Sequence, residues 1–331
     1  MRILFVHNKL TRFVRIDRDL LAVRHCVTER HETSVRNLRP NQIWREVEKH
    51  DLVFCWFASW HDYFPVMFAR LLGKPSVVVV GGYDLACVPE AHYGSQRGGL
   101  RRLVSRAIIR SATILLPPSE AAKTEAIIHG GANPQRTSVL SLGVEHLTCV
   151  QAVRRQPLIV TVGNVWAENL VRKGLLPFVQ AAAHLPDLQF IHAGKWCDDS
   201  INILRREAGP NVQFLGMLSD ADLAALYARA SVYVQASAHE AFGLSLAEAM
   251  LAGCIPVVTR AGSLPEVVGD TGLYIPTQTP RDVAMTIRAA LNQPPYARER
   301  AQARVQALFS LERRAAGLHS VVESLARAKA A

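Results

Sequence analysis

The carboxylates of Glu240 and Glu248 flank a small turn-forming step, Phe242-Gly243, in the C-terminal half of the chain. A short apolar segment precedes the step and a helix-forming segment begins at Leu244, which predicts a strand, a tight turn and a helix. The first backbone N–H groups of a helix lack partners within it, and together with the helix dipole they bind anions, above all phosphate. We therefore expect a phosphate group to bind at this helix N-terminus.

The spacing of the two acids indicates what the phosphate is joined to. Glu248 lies five residues beyond Gly243, which is about 7 Å along a helix at 1.5 Å per residue. Its carboxylate can accept hydrogen bonds from hydroxyls of a tethered group such as a ribose, while Glu240 lies on the other side of the helix terminus. The arrangement suits a nucleotide diphosphate joined to a polyol, that is, a nucleotide sugar. The alternative is that each acid only complements the helix dipole, which is worth about 0.3–1 kcal/mol.

A family resemblance covers this segment. Residues 239–258, HEAFGLSLAEAMLAGCIPVV, resemble the E-x7-E signature of the family-4 retaining glycosyltransferases of the GT-B fold, and residues 261–275 resemble the segment that follows it. The resemblance implies two Rossmann-like, doubly wound parallel-sheet domains that face a central cleft. It also implies that Glu240 is catalytic and orients the donor sugar. Phe242 and the amides of Gly243 and Leu244 would contact the donor diphosphate, and Glu248 the ribose.

Length and composition agree with a two-domain α/β protein. The chain has 331 residues, of which 49% are hydrophobic and 20% charged. No apolar run reaches the roughly 18 residues that a membrane span requires, and the first residues predict a strand and not a signal peptide. The six cysteines are scattered without a C-x-x-C pair, which favours a reducing, cytoplasmic location over a disulfide framework or a zinc site.

The strand-helix alternation restarts in the middle of the chain, which predicts two parallel-sheet domains. We assign residues 1–150 to an N-terminal acceptor-binding domain and 151–309 to a C-terminal nucleotide-sugar-binding domain. Residues 310–331 form a helix that, by the resemblance, packs back on the first domain. Ser219 and Ser263 are predicted to begin helices with capping boxes. The predicted strands are residues 3–6, 52–56, 76–80, 113–116, 138–140, 158–162, 188–192, 212–215, 232–235, 256–259 and 273–275.

Further donor-binding residues follow from the resemblance. In the family, an Arg after a strand-ending Gly and a Lys before a second Gly hold the diphosphate. Here Gly163 ends the strand, Asn164 occupies the Arg position, and Arg172-Lys173 precedes Gly174. Lys173 is the expected phosphate ligand, while Arg172 either replaces the missing charge or lies at a solvated helix start.

Residues after other predicted strands complete the expected site. Gly194 would let the ligand approach the backbone closely, and Met217 and Leu218 are expected beside the donor base. Many family members carry a His near the end of the predicted strand 76–80, but this chain has none between Asp62 and Asp84. Asp84 is the nearest polar substitute for a catalytic role, and a turn-capping Asp is the alternative.

The charge is concentrated in the first half of the chain. Residues 1–150 hold 20 Lys and Arg against 13 Asp and Glu, a net charge of +7, whereas residues 151–331 hold 18 against 15, a net charge of +3. Residues 97–110 form a basic amphipathic segment, which predicts either a solvated helix face or peripheral contact with an anionic membrane. We expect no nucleic-acid partner, because no aromatic-interleaved basic patch or recognised binding module accompanies the charge.

These observations predict a retaining glycosyltransferase that moves a sugar from a UDP- or GDP-type donor to a glycan or lipid-linked acceptor. We expect Lys173 and the helix terminus to neutralise the leaving diphosphate, so we expect no metal, and no cofactor beyond the nucleotide-sugar co-substrate. Two alternatives stay open: a nucleotide-sugar-binding relative that has lost turnover, and a sugar-nucleotide epimerase of the same architecture. The donor base, the sugar, the acceptor and the oligomeric state do not follow from the sequence.

Overall fold

The computed structural model describes residues 1–146 and 154–330, which form two compact units. Unit 1 comprises Met1–Gly143 together with Leu311–Ala331, and unit 2 comprises Val144–Ser310. The domain boundary expected at residue 150 lies outside the described residues. The chain therefore leaves unit 1 once and returns to it for its final helix. No described helix combines the length and apolar character needed to cross a membrane.

Unit 1 is built on a five-stranded parallel sheet in the order β2-β1-β3-β4-β5. Strands β1, β3 and β4 are almost wholly buried, as expected for a parallel sheet with helices on both faces. The strands are β1 (Arg2–His7), β2 (Cys26–His31), β3 (Leu52–Trp56), β4 (Ser76–Val79) and β5 (Ile114–Leu116). The helices are α1 (Arg12–Ala22), α2 (Pro40–Lys49), α3 (Tyr63–Leu71), α4 (Gly99–Ser111), α5 (Glu120–Glu125) and, at the end of the chain, α14 (Leu311–Ala330).

The sequence interpretation was wrong at two strands of unit 1. Strand β2, with the sequence CVTERH, was missed because it is an edge strand whose side chains are mostly exposed and polar. Residues 138–140 were predicted as a strand but form none. Ser138 and Leu140 donate isolated backbone hydrogen bonds to the carbonyls of Leu115 and Pro117, each 3.0 Å long.

Unit 2 contains a six-stranded parallel sheet in the order β11-β10-β9-β6-β7-β8. All six of its strands occur where the sequence predicts them, to within one or two residues. The strands are β6 (Leu158–Val162), β7 (Gln189–Ala193), β8 (Val212–Gly216), β9 (Val232–Gln235), β10 (Ile255–Val258) and β11 (Leu273–Tyr274). The helices are α6 (Ala167–Arg172), α7 (Leu175–Ala181), α8 (Ser200–Glu207), α9 (Asp220–Arg229), α10 (Leu244–Leu251), α11 (Leu264–Val268), α12 (Pro280–Leu291) and α13 (Tyr296–Leu308).

The strand order of unit 2 places a topological switch point between β6 and β9. Successive strands run from β6 outward to β8 on one side, and the chain then crosses over to β9, β10 and β11 on the other side. Loops that leave two neighbouring strands in opposite directions open a crevice at the carboxyl ends of those strands, where open α/β sheets bind ligands. The loops after β6 and β9 are therefore the first place to look for a site.

Helix α14 is fixed within unit 1 by a buried ion pair. Arg314 and Asp17 have side chains only 1% and 2% exposed, and the guanidinium donates to both carboxylate oxygens, with an Nε–Oδ1 distance of 2.9 Å. The indole of Trp56 donates to the same carboxylate at 3.0 Å, and Arg314 also donates to the Leu140 carbonyl at 2.7 Å. These partners satisfy the buried charges and join α1, β3 and α14.

Replacement of Arg314 by methionine should destabilise unit 1 by about 3–5 kcal/mol, because it leaves the Asp17 carboxylate buried without its cation. Arg313→Met is the matched control, since the neighbouring arginine is exposed and should change the free energy of unfolding by less than about 0.5 kcal/mol. Urea unfolding of both variants measures the difference. The double variant Asp17→Asn/Arg314→Met should recover part of the stability that Arg314→Met loses. Equal free energies of unfolding for Arg314→Met and Arg313→Met would contradict this account.

Candidate functional site

The residues predicted to bind a donor meet at the switch point of unit 2. Lys173 follows β6 through helix α6, and Glu240 follows β9 in the loop that leads to α10. The Lys173 ammonium group contacts the Glu240 carboxylate directly, with side chains 19% and 12% exposed. A cation and an anion predicted separately, 67 positions apart in the sequence, thus form one ion pair.

Glu240 is held by further contacts. Gln235, the last residue of β9, donates from Nε2 to Glu240 Oε2 at 2.8 Å, and its own Oε1 accepts from the Tyr233 hydroxyl at 3.2 Å. Burial alone would raise the pKa of Glu240, but the charges of Lys173 and Arg172 outweigh burial and lower the pKa below its usual value. Glu240 therefore stays a carboxylate at neutral pH.

The backbone of the Glu240 loop packs against the segment before α11. The Glu240 carbonyl accepts hydrogen bonds from the Ser263 backbone N–H at 3.0 Å and from the Ser263 hydroxyl at 3.2 Å. Gly262 has a φ of +53°, and a Cβ there would lie 2.1 Å from the Glu240 carbonyl oxygen. The capping box predicted at Ser263 is wrong, because its side chain serves this loop and does not cap α11. The cap predicted at Ser219 is confirmed, since its hydroxyl accepts from the Asp222 N–H at 3.1 Å.

The N-terminus of α10 lies directly after Glu240. Gly243 precedes the helix with a φ of +90°, and no side chain caps this terminus among the described residues. Phe242 is buried and packs edge-on against Phe309, with ring centroids 5.3 Å apart. Glu248 lies on the same helix and is 6% exposed. The structure thus places the predicted phosphate-binding amides at the start of α10, directly after Glu240, with Glu248 on the same helix.

The link between α6 and α7 determines where Lys173 lies. Gly174 has a φ of +64°, and a Cβ there would come within 1.9 Å of the Ala236 carbonyl oxygen. On the other side of this link, the Ala238 N–H donates to the Arg172 carbonyl at 2.8 Å. These close backbone contacts hold the lysine against the segment that follows β9.

Arg172 and Asn164 have local partners. The Arg172 side chain is 7% exposed and donates to Asn169 Oδ1 from Nε at 2.9 Å and from Nη2 at 2.7 Å. Asn164 Oδ1 accepts from the Lys195 N–H at 3.1 Å. Asn164 thus stabilises the loop after β6. The positive charge of Arg172 helps to lower the pKa of Glu240.

Glycines join the ends of three neighbouring strands. The Gly163 N–H donates to the Ala193 carbonyl at 2.9 Å, and the Gly194 N–H donates to the Gly216 carbonyl at 2.8 Å. His192 Nε2 lies 2.8 Å from the Gly163 carbonyl oxygen, and burial lowers the pKa of this histidine to about 4. A neutral, donating imidazole therefore supports the loop that begins at Gly163.

The remaining predicted residues lie at other positions. Met217 is 74% exposed just after β8, and Leu218 beside it is half-buried. Asp84 belongs to unit 1, where it is 3% exposed and accepts from the Ala58 N–H at 2.9 Å and from the Gly81 N–H at 3.0 Å. Burial raises the pKa of Asp84 to about 6, against these hydrogen bonds. This capping geometry matches the alternative stated for Asp84, and its catalytic role stays a prediction.

Sequence reasoning missed two residues that organise the site, Gln235 and His192, and assigned a different role to a third, Ser263. Gln235 had a detectable signal, because a polar side chain ends an otherwise apolar strand at the edge where ligands bind. The contacts of His192 and Ser263 run to backbone atoms distant in sequence, and no sequence pattern announces such contacts. In residues 1–146 and 154–330, no three His, Cys, Asp or Glu side chains are grouped so that they could hold a metal ion.

Comparison with known proteins identifies the class of fold. The chain superposes on the crystal structure of Anabaena HepE in complex with UDP and glucose with a TM-score of 0.78 at 20% identity, covering 98% of this chain and 100% of that one. The fold is therefore GT-B, with two Rossmann-like units. The model of the family Glycosyl transferases group 1 matches residues 156–293, which are 138 of the 331 residues and lie within unit 2.

Sequence relatives agree with this class. The O-antigen chain mannosyltransferase B of Escherichia coli is 48% identical over 62 residues, 19% of this chain and 16% of that protein. The glycogen synthase of Mycobacterium tuberculosis is 27% identical over 270 residues, 72% of this chain and 63% of that protein. The chain thus spans less than two thirds of either relative. The matches show that residues 156–293 are similar to the group 1 glycosyltransferases.

Gly194→Ala should destabilise unit 2 by about 2 kcal/mol or more, because the backbone φ is +151° and a Cβ would lie 2.0 Å from the Gly163 carbonyl oxygen. Gly163→Ala is the matched control, since a Cβ there would meet Leu175 Cδ2 at an ordinary 3.8 Å. Thermal unfolding of both variants separates the two cases, and a similar melting temperature for both would refute the proposed backbone clash.

Acid should weaken unit 2 through His192. The pKa of His192 is about 4 in the folded protein and about 6.5 in the unfolded chain. Between pH 6.5 and pH 4, therefore, the unfolded chain binds a proton at this histidine and the folded protein does not. Stability is therefore full above pH 6.5 and falls by up to roughly 3 kcal/mol as the pH drops to 4. His192→Gln should show a correspondingly shallower decline when urea unfolding is followed from pH 7.5 to pH 4.5. An unchanged pH profile would contradict the assignment.

Proposed function

We propose that this protein is a retaining glycosyltransferase that uses a UDP- or GDP-type sugar donor and a glycan or lipid-linked acceptor. The observation that carries the proposal is the Lys173–Glu240 ion pair at the switch point of unit 2, next to the uncapped start of α10. This arrangement places a cation and the backbone N–H groups at the start of α10 beside a carboxylate. A nucleotide diphosphate joined to a sugar needs both kinds of group.

The diphosphate would be held by the Lys173 ammonium group and by the amides of Gly243 and Leu244. When the glycosidic bond breaks, negative charge grows on the leaving diphosphate, and donors already oriented toward it stabilise the transition state. A lysine and a helix terminus supply this stabilisation in place of a metal ion. The ion pair with Glu240 would position the Lys173 ammonium group before the donor arrives. When the donor binds, this ammonium group would contact the phosphate.

Glu240 would act on the sugar. Its lowered pKa keeps it ionised, and a fixed negative charge stabilises the oxocarbenium character of the anomeric carbon while its oxygens accept from sugar hydroxyls. Retention of configuration follows the family resemblance. The leaving diphosphate itself would take the proton of the acceptor hydroxyl, and Glu248 would accept hydrogen bonds from the ribose.

The second candidate is a nucleotide-sugar-binding protein without turnover. It is favoured by one observation: Asn164 stands where the family carries a diphosphate-binding Arg, and its side chain accepts from the Lys195 N–H. Product analysis separates the two candidates, since binding of donor without release of nucleotide across many acceptors would favour this one. Peripheral membrane contact through the basic residues 97–110 is part of the proposal for either candidate.

Thermal stabilisation by UDP, GDP, ADP and their sugar conjugates tests the donor site. We expect one nucleotide series to raise the melting temperature of the wild type. Glu248→Gln should weaken that binding about tenfold, because a neutral amide accepts a hydrogen bond less strongly than a carboxylate. Lys173→Met should weaken binding of the diphosphate more than binding of the nucleoside alone.

Glu207→Gln is the control, because this exposed acid lies on α8 and bonds to Gln180. It should bind nucleotide as the wild type does. If no nucleotide stabilises the wild type at millimolar concentration, the proposed donor site is wrong. If Glu248→Gln binds as tightly as Glu207→Gln, the ribose assignment is wrong even though the donor site stands.

A further inference from the structure

A cavity of about 830 Å³ opens in unit 1 at the carboxyl ends of its strands. Asn8 follows β1, Trp60 lies shortly after β3, and Asp84 comes after β4, and all three line the cavity. Open parallel sheets bind ligands at this edge, and the volume lies within the range of about 300–1,000 Å³ typical of small-molecule sites. The cavity is thus placed and sized as a binding site that the donor does not require.

The walls of this cavity are mostly apolar. Nine of the fourteen described residues that line it are aliphatic or aromatic, including Trp60, Tyr63 and Phe64. The acid among them, Asp84, directs its carboxylate to the backbone amides of Ala58 and Gly81. Most of the cavity wall therefore offers hydrophobic contact and few hydrogen-bonding groups, which suits a hydrocarbon chain better than a bare glycan.

One basic residue, Arg101, lies among the residues that line the cavity. Helix α4 contributes Leu100, Arg101 and Val104 to the lining. Arg101 is exposed and donates from Nη1 to the Tyr83 hydroxyl at 2.8 Å, which fixes its guanidinium at the cavity edge. The sequence of α4, GLRRLVSRAIIRS, carries four arginines and no acid. An occupant with an apolar body and an anionic head would therefore match both the wall and the edge.

We propose that this cavity binds the hydrocarbon chain of a lipid-linked acceptor, with the phosphate of that lipid at Arg101. The inference rests on the proposed glycosyl transfer and narrows its acceptor to a phosphate-bearing amphiphile. Leu100 is 75% exposed despite its apolar side chain, and contact with the hydrocarbon chain of the lipid would explain this exposure.

Helix α4 offers a matched pair of variants. Leu100 and Leu103 are 75% and 67% exposed on the same helix, but only Leu100 is among the residues that line the cavity. A helix that merely lies on a membrane surface would use both leucines, whereas a chain inserted in the cavity contacts Leu100. Because both side chains are exposed, replacement of either by glutamine should leave the folded state intact.

A calorimetric titration of the full chain with dodecyl phosphate, kept below its critical micelle concentration, tests the proposal. We expect saturable binding of one molecule, weakened about five- to tenfold by Leu100→Gln through lost apolar burial and unchanged by Leu103→Gln. Val104→Trp, which places an indole in part of the cavity, should weaken binding more than tenfold if its melting temperature matches the wild type. Arg101→Gln should weaken binding of dodecyl phosphate but not of the neutral dodecyl maltoside.

Two results would overturn the inference: no saturable binding, or equal weakening by Leu100→Gln and Leu103→Gln, which would indicate a surface-lying helix. Nucleotide-induced stabilisation of unit 2, measured on the same samples, separates this inference from the proposed function. Nucleotide binding without amphiphile binding refutes the cavity assignment alone. Amphiphile binding without nucleotide binding refutes the glycosyl transfer and leaves the cavity as a lipid-binding site.

Discussion

The contact between Lys173 and Glu240 is the constraint on which the functional part of this protein depends. A buried ion pair is favourable only when its geometry and additional hydrogen bonds compensate for the loss of solvent. Here Gln235 supplies a further donor to the carboxylate, and close backbone contacts hold both loops in position. The pair therefore fixes the loop after β9 relative to the link after β6, and the start of α10 follows directly from that loop.

Glycine makes this arrangement possible at two positions in particular. At Gly174 and Gly262 the backbone has a positive φ, and a Cβ would approach a carbonyl oxygen to about 2 Å. A side chain at position 174 would push the segment that carries Lys173 away from the segment after β9, and one at position 262 would push the Glu240 backbone away from the segment before α11. The glycines are thus required by the close approach of two backbones, and the electrostatics of the site depend on that approach.

Unit 1 also depends on a buried ion pair, which holds its final helix in place. The final helix is held to this unit by the Arg314–Asp17 pair, whose charges are satisfied by an indole and a main-chain carbonyl as well as by each other. At the carboxyl ends of its strands, unit 1 has a cavity with mostly apolar walls and one basic lining residue, Arg101. One unit thus combines an internal charge pair that stabilises the fold with exposed positive charge available to a ligand.

The sequence alone determined the strand pattern of unit 2 and indicated Glu240 and Glu248, because apolar strands, a glycine turn and a long ordered motif are local signals. Lys173 followed from the family resemblance. It failed at β2, where an exposed edge strand lacks that apolar signal. Only the tertiary structure decided that Lys173 pairs with Glu240 and that Gln235 supports the pair. These contacts depend on strand order, which brings β6 beside β9 across more than sixty residues, and no local pattern of residue types encodes that neighbourhood.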